Sequence, residues 1–103
     1  MNRESRHYTR HLIPEESLLP CEGVNRPLKG QVSVLGLGGM FVRTRESYPI
    51  GTALEVRIHA PDDVIDAQCV VRDVLPGGLG LEFTKLRGKH EDVVRTFLER
   101  LKN

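Results

Sequence analysis

The sequence has no tryptophan, two tyrosines, three phenylalanines and two cysteines among its 103 residues. So few aromatic rings argue against an RNA-binding barrel of the OB type, which stacks bases on exposed aromatics. Cys21 and Cys69 are far apart in the chain, so a disulfide framework or a zinc site is not expected. The net charge of +1 gives no case for non-specific binding to DNA or a membrane.

Long apolar runs are also missing from the chain. None approaches the length of a membrane span, and the polar N-terminus lacks the apolar core of a signal peptide. We therefore expect a cytoplasmic protein with no membrane insertion and no DNA or RNA partner.

What is present is enough Val, Leu and Ile to build the core of one domain. Polar and apolar residues alternate in several short segments, which is typical of strands buried on one face. An apolar stripe at helical spacing predicts a helix at about 89–102, which would cover the barrel or form a dimer interface. The pattern predicts a mainly β fold, a six-stranded antiparallel barrel with one C-terminal helix, with strands at about 18–24, 29–35, 40–44, 52–58, 64–75 and 79–83.

The N-terminal segment 1–11 is rich in basic residues and has no apolar period. We interpret it as a flexible basic arm that enters a single β-barrel domain spanning 12–103. Arg6 and Arg10 are its most informative residues, because an arginine fork can pair with a phosphate or with guanine. The plainer alternative is a solvated basic terminus with no ligand.

The apolar run from Gln31 to Val42 is interrupted by three glycines, Gly36, Gly38 and Gly39. Such a cluster predicts either a positive φ in a tight connection or a close approach of two backbones. Alternation along the first half of the run places Val32 and Val34 on one face. No helix is predicted to follow and the Gly-Lys-Ser/Thr ending is missing, so neither a dinucleotide fingerprint nor a P-loop is expected.

No pattern in the sequence points to catalysis. The four histidines have neither metal-ligand spacing nor a neighbouring nucleophile in a triad pattern. We therefore expect no enzyme activity, no catalytic residue and no metal site. Asp62, Asp63 and Asp66 are interpreted as an exposed acidic turn.

Two short motifs resemble those of PilZ domains, the small bacterial β-barrels that act as cyclic di-GMP receptors. Arg6-His-Tyr-Thr-Arg10 matches the family's Arg-x-x-x-Arg motif. The family's Asp-x-Ser-x-x-Gly motif aligns with residues 34–39, where Gly39 matches, Val34 replaces the aspartate and Gly36 replaces the serine. The predicted strands and terminal helix also fall where the family has them.

The resemblance implies a cyclic di-GMP site formed by Arg6, Arg10, Val34, Gly36 and Gly39, with no other cofactor. In the family the two arginines grip phosphate and guanine, and the motif's carboxylate accepts hydrogen bonds from guanine. Binding would order the arm and present a changed surface to a protein partner. The alternative is a degenerate PilZ domain that does not bind the nucleotide and serves as a protein-interaction module.

Overall fold

A computed structural model describes residues 9–86 and 90–101 of the chain. All strand pairs are antiparallel, in the order β1-β3-β2-β5-β6-β7-β4, and a further β3–β4 pairing closes the sheet. Strands β2 to β7 therefore form the closed six-stranded barrel that the alternation predicts. The elements are β1 (His11–Leu12), β2 (Leu19–Gly23), β3 (Lys29–Leu35), β4 (Gly39–Thr44), β5 (Ala53–His59), β6 (Val64–Leu75), β7 (Gly78–Leu86) and α1 (His90–Leu101), with a short 3-10 helix at Glu15–Ser17.

The barrel interior is filled by the alternate side chains of its strands. Leu54, Val56 and Ile58 of β5 are buried, as their spacing predicts. The helix α1 packs against β6 and adds Val94 and Phe97 to the same core. Of the two roles considered for the helix, its apolar face thus serves to cover the barrel of its own chain.

The predicted placement of Val32 and Val34 on one face is wrong. A β-bulge interrupts the β3–β4 register between them, so that Val32 pairs with Val42 but Val34 pairs with Phe41. The extra residue, Ser33, reverses the alternation. Val32 therefore points into the core, whereas Val34 lies on the outer wall beside Phe41. Val34 and Phe41 are both half-buried.

Parts of two predicted segments, the N-terminal arm and the helix, lie outside the described residues. Residues 1–8, which hold most of the predicted arm and include Arg6, lie outside them, as do both predicted ends of the helix, Lys89 and Lys102. The sheet begins within the predicted arm, since His11 of β1 already pairs with Leu35.

No helix within residues 9–86 and 90–101 is long and apolar enough to cross a bilayer.

Candidate functional site

The glycine-rich turn between β3 and β4 is shaped by close backbone approaches. A Cβ added to Gly39 would lie 2.4 Å from the carbonyl oxygen of Leu81 on β7, closer than any real side chain could sit. The Gly36 N–H donates to the Gly39 carbonyl, and the Phe83 N–H donates to the Gly38 carbonyl, both at 2.9 Å. Neither Gly36 nor Gly39 has a positive φ. Close approach is therefore the reason for the glycines at positions 36 and 39.

The end of the N-terminal arm lies on this turn. A Cβ added to Gly36 would be 2.7 Å from the Thr9 carbonyl oxygen and 3.5 Å from Arg10 Cα. The chain then continues along β3, where β1 pairs with its last two residues and the Ile13 N–H donates to the Ser33 carbonyl at 2.9 Å. The backbone of Arg10 is thus held beside the position where the family motif has its serine.

Four of the five predicted site residues come together at this end of the barrel. Arg10 and Gly36 are in contact, Val34 lies two residues before Gly36, and Gly39 closes the turn. Arg6, the fifth, lies outside the described residues.

Three exposed arginines of the described chain, Arg10, Arg43 and Arg72, differ in whether they are already paired. Arg43 donates two hydrogen bonds to the Glu15 carboxylate, at 2.6 and 3.1 Å, and these bonds lower the pKa of Glu15. Arg72 forms an ion pair with Glu82. Arg10 is exposed and has no ion pair with any residue that the structure describes. Its guanidinium is therefore available to an anionic ligand.

The outer wall next to the turn holds residues that the sequence reasoning missed. Gly78 and Gly80 of β7 leave room above the sheet for two side chains from neighbouring strands. A Cβ added to Gly78 would lie 3.0 Å from the ring tip (Cζ) of Phe41. A Cβ added to Gly80 would lie 3.0 Å from the Oδ2 of Asp73. The Gly-x-Gly spacing in an otherwise regular strand was the available signal, because a glycine in a strand often marks a close approach.

The structure offers little for metal or thiol chemistry within its described ranges. No group of three His, Cys, Asp or Glu side chains there could hold a metal ion. Cys21 and Cys69 are free and buried, and burial raises the pKa of both thiols. Thiols protonated in this way are poor nucleophiles and poor metal ligands. His59 lies 3.1 Å from a carboxylate oxygen of Glu22 on the barrel wall.

Comparison with known proteins gives one family match and several structural matches. The model of the PilZ domain family matches residues 4–100. The fold is similar to that of the inhibitor of motility MotI/DgrA from Bacillus subtilis, with a TM-score of 0.80 and 18% identity over 99% of this chain. That match covers 52% of the Bacillus protein, so the chain spans about half its length.

Two further solved structures share the fold. The PilZ domain of YcgR from Escherichia coli, determined with c-di-GMP, has a TM-score of 0.73 and 18% identity, covering 94% of this chain and 91% of that domain. An uncharacterised Legionella protein has a TM-score of 0.58 and 18% identity, covering 91% of this chain and 94% of its own. No curated protein sequence matches the chain.

Proposed function

Because the chain belongs to the PilZ domain family, we propose that it binds cyclic di-GMP through Arg6 and Arg10 and passes the signal to a protein partner. The observation that carries the proposal is the position of Arg10. Its backbone rests on the glycine turn of the second motif, and its side chain is exposed and unpaired among the described residues. We propose that the protein acts as a receptor in the cytoplasm and catalyses no reaction.

The chemistry of the ligand fits an arginine arm. Cyclic di-GMP has two phosphates and two guanines, and a guanidinium can pair with a phosphate or with the O6 and N7 atoms of guanine. A basic arm that ends on the barrel wall can fold over such a ligand. Arg43 and Arg72 on the outside of the barrel are already neutralised by glutamates, whereas Arg10 brings an unpaired positive charge to the turn.

We expect the replaced residues of the second motif to weaken binding without removing the contacts of the arginines. Val34 has no side-chain acceptor, and a buried guanine donor left unpaired costs about 1–3 kcal/mol. Gly36 lacks the serine hydroxyl, but a side chain there would collide with the Thr9 carbonyl in this conformation. The glycine thus lets the arm approach the turn more closely than a serine would.

Isothermal titration with cyclic di-GMP, with GTP as control, tests the proposal. We expect selective binding by the wild type and weaker binding by Arg6→Ala and Arg10→Ala. Loss of a charge-assisted hydrogen bond, about 1.5–3 kcal/mol, corresponds to a roughly 10-fold to 150-fold rise in Kd. Arg95→Ala is the matched control, because Arg95 is an exposed arginine on α1 that pairs with Glu91. Equal affinity in all variants would refute the role of the two arginines.

A second candidate function is a PilZ domain that no longer binds the nucleotide and acts as a protein-interaction module. The apolar surface beside the turn favours it, since Leu12 is 82% exposed and pairs with Val34. A wild-type titration with no heat, and no rise in melting temperature at high cyclic di-GMP concentration, would select this candidate. Binding of the ligand would reject it.

A further inference from the structure

A row of outward-facing positions crosses the barrel wall from the arm to β6. The strand register places Leu12 opposite Val34, Val34 opposite Phe41, Phe41 opposite Gly80 and Gly80 opposite Asp73. Directly opposite residues of antiparallel strands point to the same side of a sheet. The distance from Val34 to Asp73 is three strand spacings, or about 14 Å. This row begins beside Arg10 and lies on the open surface of the barrel.

Phe41 forms an aromatic platform in the middle of this row. Its ring extends over Gly78, whose missing side chain lets the ring tip lie against the backbone of β7. Phe41 is half-buried, so part of its side chain remains open to solvent. An exposed aromatic ring can stack on any nucleic-acid base.

Asp73 adds a hydrogen-bond acceptor next to the platform. Its carboxylate lies over Gly80, the residue directly opposite Phe41 on β7. Asp73 is exposed, and within residues 9–86 and 90–101 it forms no hydrogen bond or ion pair. The other carboxylate on this part of the wall, Glu82, is already paired with Arg72. Asp73 therefore retains its full capacity to accept hydrogen bonds.

The acceptor and the platform suit one base in particular. Guanine has two adjacent donors, N1–H and the N2 amino group, which a carboxylate can accept together. Adenine has an acceptor at N1 and no amino group at C2, so a carboxylate there is unfavourable for it. Stacking on Phe41 alone would not distinguish the bases, so discrimination depends on Asp73.

We propose that Phe41 and Asp73 form a guanine subsite, in which Asp73 supplies the acceptor that Val34 lacks. The inference rests on the proposed function, because it assigns one base of the same ligand. Arg10 at one end of the row and Asp73 at the other bind different parts of one dinucleotide. A base on Phe41 bridges the gap between them.

The test is a cycle that pairs a change in the protein with a change in the ligand. Wild type, Asp73→Asn and the control Asp92→Asn, an exposed aspartate on α1, are titrated with cyclic di-GMP and with cyclic di-IMP. Cyclic di-IMP has hypoxanthine bases, which lack only the N2 amino group of guanine. We expect wild type and Asp92→Asn to prefer cyclic di-GMP by about tenfold or more, and Asp73→Asn to lose most of that preference.

Phe41 is tested by replacing the ring and then restoring it. Phe41→Leu should weaken binding of both dinucleotides about 5-fold to 150-fold, whereas Phe41→Tyr should bind like wild type. Thermal unfolding of each variant confirms that the barrel is intact, and the exposed Asp73 can be changed without disturbing the core.

The outcomes separate the two proposals. If wild type binds cyclic di-GMP but Asp73→Asn keeps the full preference over cyclic di-IMP, the subsite is wrong and the proposed function stands. If Phe41→Leu binds as well as wild type, the platform is wrong. If wild type binds neither dinucleotide, both the proposed function and the subsite are overturned.

Discussion

Substitution of Gly36 by alanine should release the end of the N-terminal arm while leaving the barrel folded. The new Cβ would lie 2.7 Å from the Thr9 carbonyl oxygen, and ordinary contact begins at 3.4 Å, so the atoms must separate by 0.7 Å, the difference between these values. The turn is tied to β7 by the Phe83–Gly38 hydrogen bond. Among the described residues, the arm is attached through the two paired residues of β1 and the Ile13–Ser33 bond, so we expect the arm to be the part that moves.

The expected magnitude follows from the cost of overpacking, typically about 1–3 kcal/mol. Since that cost falls on the attached state of the arm, the population of the detached state should rise about 5-fold to 150-fold. Proteolysis of a transiently opened segment follows the population of the open state when closing is fast. Cleavage by trypsin after Arg10 should accelerate by the same factor, because the following residue, His11, is held in β1 by its pairing with Leu35.

Limited trypsin digestion with mass spectrometry measures this effect as the rate at which the fragment beginning at His11 appears. Gly77→Ala is the matched control, because nothing lies within 4 Å of a Cβ at Gly77 and its φ is not positive. The barrel of Gly36→Ala should still unfold cooperatively. Equal cleavage rates for wild type, Gly36→Ala and Gly77→Ala would show that the arm does not rest on Gly36.

Three more predictions concern the barrel itself. Gly39→Ala should lower the melting temperature by about 4–8 °C for each kcal/mol lost, because its Cβ would collide with the Leu81 carbonyl. A melting temperature equal to that of Gly77→Ala would contradict the close approach. Phe97→Ala should lower the free energy of unfolding in urea by about 3–5 kcal/mol, because packing of α1 on the core is lost. A loss under about 1 kcal/mol would mean that the helix is not part of the core. Burial raises the pKa of Cys21 from its ordinary 9.0 to about 12, so its contribution to stability is complete below pH 9 and falls as the pH rises toward 12. The free energy of unfolding, measured by urea titration, should fall by up to about 1.4 kcal/mol per pH unit in this range in the wild type. The decrease should be smaller in Cys21→Ala, and equal pH slopes for the two proteins would refute the prediction.

The strands and the helix follow from the sequence because hydrophobic alternation is a local signal. The predicted ranges 29–35 and 64–75 coincide with β3 and β6, and the helical stripe appears as α1. The face of Val34 could not be predicted, because the bulge at Ser33 depends on pairing with β4. Alternation carries no information about an extra residue that only the partner strand reveals.

The motif residues of the candidate site could be predicted from the sequence, but the residues that the fold places next to them could not. The spacing of the motifs identified Arg10, Gly36 and Gly39, and the fold brings them together. Phe41 and Asp73 are more than thirty positions apart in the sequence, and only the β4–β7–β6 register makes them neighbours. Arg6 remains a prediction from the sequence.

The closure of the sheet limits how a protein partner can bind. An open sheet exposes a strand edge, and many peptides bind by adding a strand there. In the described part of this chain β3 pairs with β4 on one side, and on the other side with β2 and then β1, so its main-chain groups are occupied from Lys29 to Leu35. A partner that binds at β3 must therefore recognise side chains on the wall, which makes its affinity sensitive to single surface substitutions.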